Sequence, residues 1–296
     1  MPDTDATPPD IPATWPNRLA SRAVMAGGVR WHVQRAGRGP TVVLLHGTAG
    51  ATHTWRTVLP LLAPVADVIA IDLPGHGFTT GATPEQLSLA GMTTAVRTLL
   101  ETLDVRPLLG VGHSAGAAVL LQLAASSHPV APRSIIGVNS ALVSINALGQ
   151  FLLPASRALL ELDPVRAGIA ALMRNGMLAR TLLRSAGTPL DAAQEARYVA
   201  LLTDAARVGS VLRMMSAWDL PALQATFPRI GIPVTLVHSR NEPWVPYDEL
   251  MAATRALPMR SVIDMTPAGH LIPDEKPAAL ADVITSALAT TASRTG

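Results

Sequence analysis

Cysteine is absent from the 296 residues, so neither a disulfide nor a thiolate can take part in whatever this chain does. That fits a reducing compartment. Lysine is nearly missing too: Lys276 stands alone, and the other basic residues are arginines. The net charge of +2 comes with only 3% aromatics, and no arginine cluster alternates with them, which argues against nucleic acid as a partner. Charged residues are few at 15%, and the mean hydropathy of +0.31 raises the question of a membrane span. No run of about 18 apolar residues answers it. The most apolar region, Leu108 to Ala125, is interrupted by His113, Ser114 and Gln122 and reads as a buried strand followed by a helix. Metal-ligand spacing is also lacking around His32, His53, His113, His128 and His238, so no metal site is expected. No dinucleotide fingerprint is present, and no cofactor is implied. Residues Met1 to Ile11 carry three aspartates among prolines, without a basic start or an apolar core. They read as a tail and not as a signal peptide.

What the chain does have is a large apolar fraction, 49%, enough for one core of α/β type carrying an insertion. Its most informative stretch is Gly112-His113-Ser114-Ala115-Gly116, between the apolar run Val105 to Val111 and the small-residue helical segment Ala115 to Ala125. A serine between a strand and a helix with glycines two residues to either side is the pattern of a nucleophile elbow. The turn forces strained backbone on the serine and leaves no room for side chains at the flanking glycines.

Upstream, Ala23 to Met25 and Val29 to Gln34 predict an edge hairpin, and Thr41 to Leu45 predicts a buried strand. That strand ends in His46-Gly47-Thr48-Ala49-Gly50. Acyl chemistry on a serine needs backbone N–H groups aimed at an oxyanion, and Thr48 and Ala115 are the candidate donors. The alternative is a glycine turn that only reverses the chain. His53 to Leu62 predicts a helix, Val65 to Ile71 a strand, Leu89 to Leu103 a helix capped by Ser88, and Ser134 to Val138 a strand.

From about Ala141 to Trp218 the strand and helix alternation stops, and only helical patterns broken by proline and glycine remain. Arg157, Arg166, Arg174, Arg180 and Arg184 there face only Glu161 and Asp163 over Phe151 to Leu190. They either snorkel on a solvated helix face or meet something anionic beside an apolar body, a carboxylated ligand or a membrane surface. Alternation resumes with strands at Pro233 to Val237 and Arg260 to Met265, a helix at Tyr247 to Leu257, and a closing helix from Lys276 to Ala289.

A serine hydroxyl becomes a nucleophile when a base takes its proton, and the base needs an acid to hold its tautomer. Glu242, just past the seventh strand, and His270, just past the last, complete the order Ser114, Glu242, His270. Serine in place of aspartate as nucleophile argues against haloalkane and epoxide chemistry.

On these motifs the chain resembles the α/β-hydrolase superfamily from Trp15 onward. It is most similar to the magnesium-chelatase accessory proteins of bacteriochlorophyll biosynthesis. That closer resemblance is carried by Trp15-Pro16-Asn17-Arg18, by Gly28 to Gln34, by His53-Thr54-Trp55-Arg56, by Asp72 to Thr79 and by Trp218-Asp219-Leu220. The resemblance implies a mostly parallel eight-stranded sheet flanked by helices, with a helical lid after the sixth strand. The matching division is a tail over 1–14, a core over 15–140 and 221–292, and a lid over 141–220. It also implies a cytoplasmic protein near the step that inserts magnesium into protoporphyrin. Three functions stay open: a serine hydrolase acting on an ester or acyl bond of a large apolar substrate, a non-catalytic porphyrin-binding or chelatase-assisting factor, and a general carboxylesterase. Contact with the membrane would then be peripheral.

Overall fold

The computed structural model describes residue 8 and residues 10–143, 159–160 and 162–295. Eight strands form one sheet: β1 (Ser21–Ala26), β2 (Val29–Ala36), β3 (Thr41–Leu45), β4 (Asp67–Ile71), β5 (Leu109–His113), β6 (Ser134–Val138), β7 (Val234–His238) and β8 (Arg260–Asp264). Their order is β1-β2-β4-β3-β5-β6-β7-β8. The pairs β1–β2 and β2–β4 are antiparallel, and every later pair is parallel. The order in which strands join the sheet reverses at β3, with β4 added on one side and β5 on the other. A crevice opens at the carboxyl ends of strands at such a switch point. Here His46 directly follows the end of β3, and His113 ends β5.

Side chains alternate across the sheet with the two-residue period of a strand. Val43, Leu45, Ile69 and Ile71 pack with α2 (Leu89–Thr102) and α3 (Ala115–Ala125), while Val42, Leu44, Val68 and Ala70 pack with α1 (Val58–Leu62) and α11 (Pro277–Thr295). Both faces are covered, which is why β3 to β6 are mostly apolar along their length. Ser88 caps α2, its hydroxyl accepting from the Gly91 amide at 3.1 Å.

Between β6 and β7 lie α4 (Asp163–Met173), α5 (Met177–Arg184), α6 (Ala192–Thr203), α7 (Ala205–Ala217) and the short α8 (Leu220–Gln224). The first four share a separate apolar core that includes Met173, Leu183, Tyr198 and Leu212. After β7 come α9 (Tyr247–Ala253), β8 and α10 (Ile272–Glu275). The arrangement is the eight-stranded, mostly parallel sheet with a helical insertion after the sixth strand. Among the described residues no helix is long and apolar enough to cross a membrane.

Several boundaries differ from expectation. The helix expected over His53 to Leu62 is a 3-10 turn, Thr52–Trp55, followed by α1. Pro60 explains the break: its ring would clash with the Arg56 carbonyl in a continuous helix, whereas in the first turn of α1 its missing N–H is no loss. The strand expected from Val105 starts at Leu109, because the Val105 amide still closes the end of α2 onto the Leu100 carbonyl at 3.1 Å. Part of the expected tail is packed: Ile11 is buried with Trp15, Ala51 and Leu201, and Asp10 pairs with Arg30 at 2.9 Å. Residues 1–7 and 9 lie outside the described residues, as do Arg157 and Glu161.

Candidate active site

Ser114 sits where β5 turns into α3, with φ 51° and ψ −115°. A non-glycine residue is strained there and stays only because its surroundings hold it. Its amide donates to the Val138 carbonyl at 2.8 Å, and its carbonyl accepts from Ala141 at 3.1 Å. A Cβ on Gly116 would stand 2.3 Å from the Leu45 carbonyl oxygen, so glycine alone lets α3 start this close to β3. The serine thus rides on the positive end of an eleven-residue helix.

The turn after β3 approaches the same point. The His46 Nε2 accepts from the Leu73 amide at 3.0 Å, so its proton sits on Nδ1, which donates to the Gly47 carbonyl at 2.7 Å. Burial lowers the His46 pKa, which suits this neutral ring. Among the described residues, neither the Thr48 amide nor the Ala115 amide donates a hydrogen bond. Both remain available to a ligand.

His270 Nδ1 lies 3.2 Å from Glu242 Oε1, off the line of a good hydrogen bond. The Glu242 carboxylate is itself pinned: Oε1 accepts from the Trp244 amide and Oε2 from the Val245 amide at 2.7 Å. The His270 backbone is tied on every side. Its carbonyl accepts from His113 Nε2 and from Asn139 Nδ2, each at 2.9 Å. Burial, then the neighbouring His270, lowers the His113 pKa to about 3, so its ring is neutral and carries its proton on Nε2. Asn139 Oδ1 also accepts from the Ser239 amide at 3.2 Å, joining the loops after β6, β7 and β8.

The helical insertion takes part as well. The His270 amide donates to the Ala186 carbonyl at 2.7 Å, the Leu271 amide to Thr188 Oγ1 at 2.9 Å, and Trp244 Nε1 to Ser185 Oγ at 3.1 Å. A Cβ on Gly269 would stand 2.5 Å from Thr188 Oγ1, so the two loops could not close over any other residue.

A family model for the α/β-hydrolase family matches residues 42–283. The chain belongs to the α/β-hydrolase family. It is 35% identical over 272 residues to the magnesium-chelatase 30 kDa subunit of Rhodobacter capsulatus, covering 90% of this chain and 93% of that protein. It is 31% identical over 267 residues to lipase LipV of Mycobacterium tuberculosis, covering 87% of this chain and 97% of the lipase. Among solved structures, an α/β-hydrolase fold protein from Burkholderia ambifaria superposes with a TM-score of 0.75 at 22% identity, covering 89% of this chain and 96% of that one.

In this α/β-hydrolase, Ser114, His270 and Thr48 line one cavity of about 310 Å³. Most of the remaining wall is apolar, with Leu172, Leu182, Leu202 and Leu212 from the insertion. Among the described residues Ser114 Oγ forms no hydrogen bond, and serine to histidine bonds of this kind often close only when substrate is bound. Glu242 stands behind His270 and not on the cavity wall. Among the described residues Arg207 is the arginine on that wall, and it is engaged with the Gly77 carbonyl at 2.7 Å and Asp204 at 2.9 Å. Of the other arginines in question, Arg166 bonds the Leu160 carbonyl and Asp163, while Arg180 and Arg184 pair with Glu195 at 3.5 Å and 3.8 Å.

Behind the cavity, Tyr198 donates to Asp274 at 2.8 Å, and Gln194 and Arg56 donate to the same carboxylate. Burial raises the Asp274 pKa to about 6 against the pull of those donors. This polar knot fastens α6 to α10 beside His270, and sequence spacing shows nothing of it.

Proposed function

We propose that the chain is a serine hydrolase cleaving an ester or related acyl bond of a large apolar substrate. The observation that carries this reading is the strained Ser114 opening into an apolar cavity whose wall also holds His270. His270 Nε2 takes the hydroxyl proton as Ser114 Oγ bonds to the acyl carbon, and the Thr48 and Ala115 amides receive the oxyanion. The imidazolium, held by Glu242, returns that proton to the leaving oxygen as its bond to carbon breaks. Water repeats the sequence, its proton passing through His270 to Ser114 Oγ while the acid leaves.

The similarity to a magnesium-chelatase subunit favours a setting in pigment synthesis, with magnesium chelatase as partner and the cytoplasm as location. It also supports a second reading, a porphyrin-binding factor without catalysis. The cavity favours the first, since among the described residues its wall offers a carboxylated ligand only the already engaged Arg207. A neutral acyl group suits it better, as in a general carboxylesterase.

Labelling with a fluorophosphonate probe tests the reading. Wild-type protein is expected to be modified and the Ser114→Ala protein to be inert. A folded wild type that stays unlabelled would sink it.

The ties to the insertion carry a further expectation. Thr188→Val removes the acceptor of the Leu271 amide and lets His270 drift, so ester kcat/KM is expected to fall about ten-fold. Thr188→Ser keeps the acceptor and should restore the rate. Loss of rate in both variants alike would show that the hydroxyl is not what positions the histidine.

A further inference from the structure

The insertion exposes apolar surface where its cavity opens. Ten large apolar side chains stand exposed among the described residues, and four of them fall between residues 159 and 177: Leu159, Leu162, Leu172 and Met177. Leu172 is 65% exposed and also lines the cavity, so the corner between α4 and α5 is the rim of its mouth. Met177, the first residue of α5, is 70% exposed, while the next residue, Leu178, lines the cavity.

Helix α5 is two-faced by spacing. Leu178, Leu182 and Leu183 line the cavity, and Ala179 and Leu183 belong to the core of the insertion. Met177, Arg180, Thr181 and Arg184 occupy the exposed side at spacings of three and four. The side chains of Arg180 and Arg184 are 49% and 75% exposed and share a single acid, Glu195. Arg174 is exposed in the turn between the two helices. From Asp163 to Arg184 the sequence holds four arginines and one acid; Arg166 is buried against that acid, and Arg174, Arg180 and Arg184 are exposed.

Leucine and methionine ringed by arginine, at the mouth of an apolar cavity, match a surface of anionic headgroups over hydrocarbon. Tryptophan, tyrosine and phenylalanine, which anchor most protein partners, are absent from residues 159–184. We propose that the α4–α5 corner docks on an anionic lipid bilayer, so that an apolar acyl substrate passes from the membrane into the Ser114 cavity. The docking stands on the surface alone, and only the fate of the ligand rests on the serine-hydrolase reading.

The test is cosedimentation of the full chain with vesicles of phosphatidylcholine alone or mixed with phosphatidylglycerol. Wild-type protein is expected to pellet with the anionic vesicles, less so as salt rises. Each of Arg174→Gln, Arg180→Gln and Arg184→Gln should weaken that binding about five-fold. Met177→Asp should weaken it at least as much, while labelling by a fluorophosphonate in solution stays at the wild-type level. Wild-type protein left in the supernatant at every lipid composition overturns the proposal, as does binding that none of the four variants reduces. Pelleting without fluorophosphonate labelling leaves the docking face standing and overturns the hydrolase reading. Labelling without pelleting does the reverse.

Discussion

Hydrolysis of a medium-chain p-nitrophenyl ester is expected to fall at least about 10⁴-fold in Ser114→Ala, and by a similar factor in His270→Ala. The double variant should lose no more than either single one. Base and nucleophile act in one step, so removing the first already empties the step of what the second supplies. Some rate above water should survive, because the Thr48 and Ala115 amides and the apolar cavity remain in place. Glu242→Gln tests the third member separately: the Trp244 and Val245 amides that fix its oxygens would meet one carbonyl oxygen and one amide nitrogen. A double variant that lost the product of the two single factors would show that Ser114 and His270 do not work together. Melting temperatures of the variants near that of wild type keep the comparison free of unfolding.

The central strands β3 to β6 were the most legible part of the chain, since burial on both faces makes them mostly apolar between turn residues. Ser114 was legible for a local reason too: steric crowding in a tight turn dictates glycine at 112 and 116, within two residues of the serine. Glu242 and His270 carry no local mark beyond their place after a strand, and only their order along the chain singles them out. The cradle around His270 is different in kind. His113 and Asn139 reach its carbonyl across 157 and 131 residues, and no spacing rule spans such distances. Asn139 did leave one hint, an asparagine directly after a buried strand, and it has a positive φ of 40°. Gly187-Thr188-Pro189 reads in sequence as a break between helices. In the fold that break is where the insertion holds the histidine loop, so the insertion is fastened at this end and any opening must hinge elsewhere.

Asp72→Asn is expected to cost about 3–5 kcal/mol of stability, the toll of breaking a fully buried polar cluster. The Asp72 side chain is wholly buried, and its Oδ1 accepts from the Thr52 amide at 2.6 Å. Oδ2 accepts from the Phe78 amide at 2.8 Å and lies 2.7 Å from His32 Nδ1. An amide in its place turns one acceptor into a donor facing donors. Thermal unfolding should drop by roughly 10 °C. Acid gives a second reading of the same cluster. Burial alone would raise the Asp72 pKa, but His32 and the backbone donors outweigh it and hold it at about 2. With the folded value below the unfolded one near 3.9, the carboxylate contributes its stability above about pH 4 and loses it as pH falls toward 2. Unfolding free energies from urea titrations should therefore decline by about 2–3 kcal/mol more in wild type than in Asp72→Asn over that window. The consequence reaches the candidate site, because Thr52 follows the Thr48 turn and the neighbouring Leu73 amide holds His46. A variant that survives folding should lose ester hydrolysis at temperatures where it is still folded. Full activity in a folded Asp72→Asn protein would show that the Thr48 turn is held in place without this cluster.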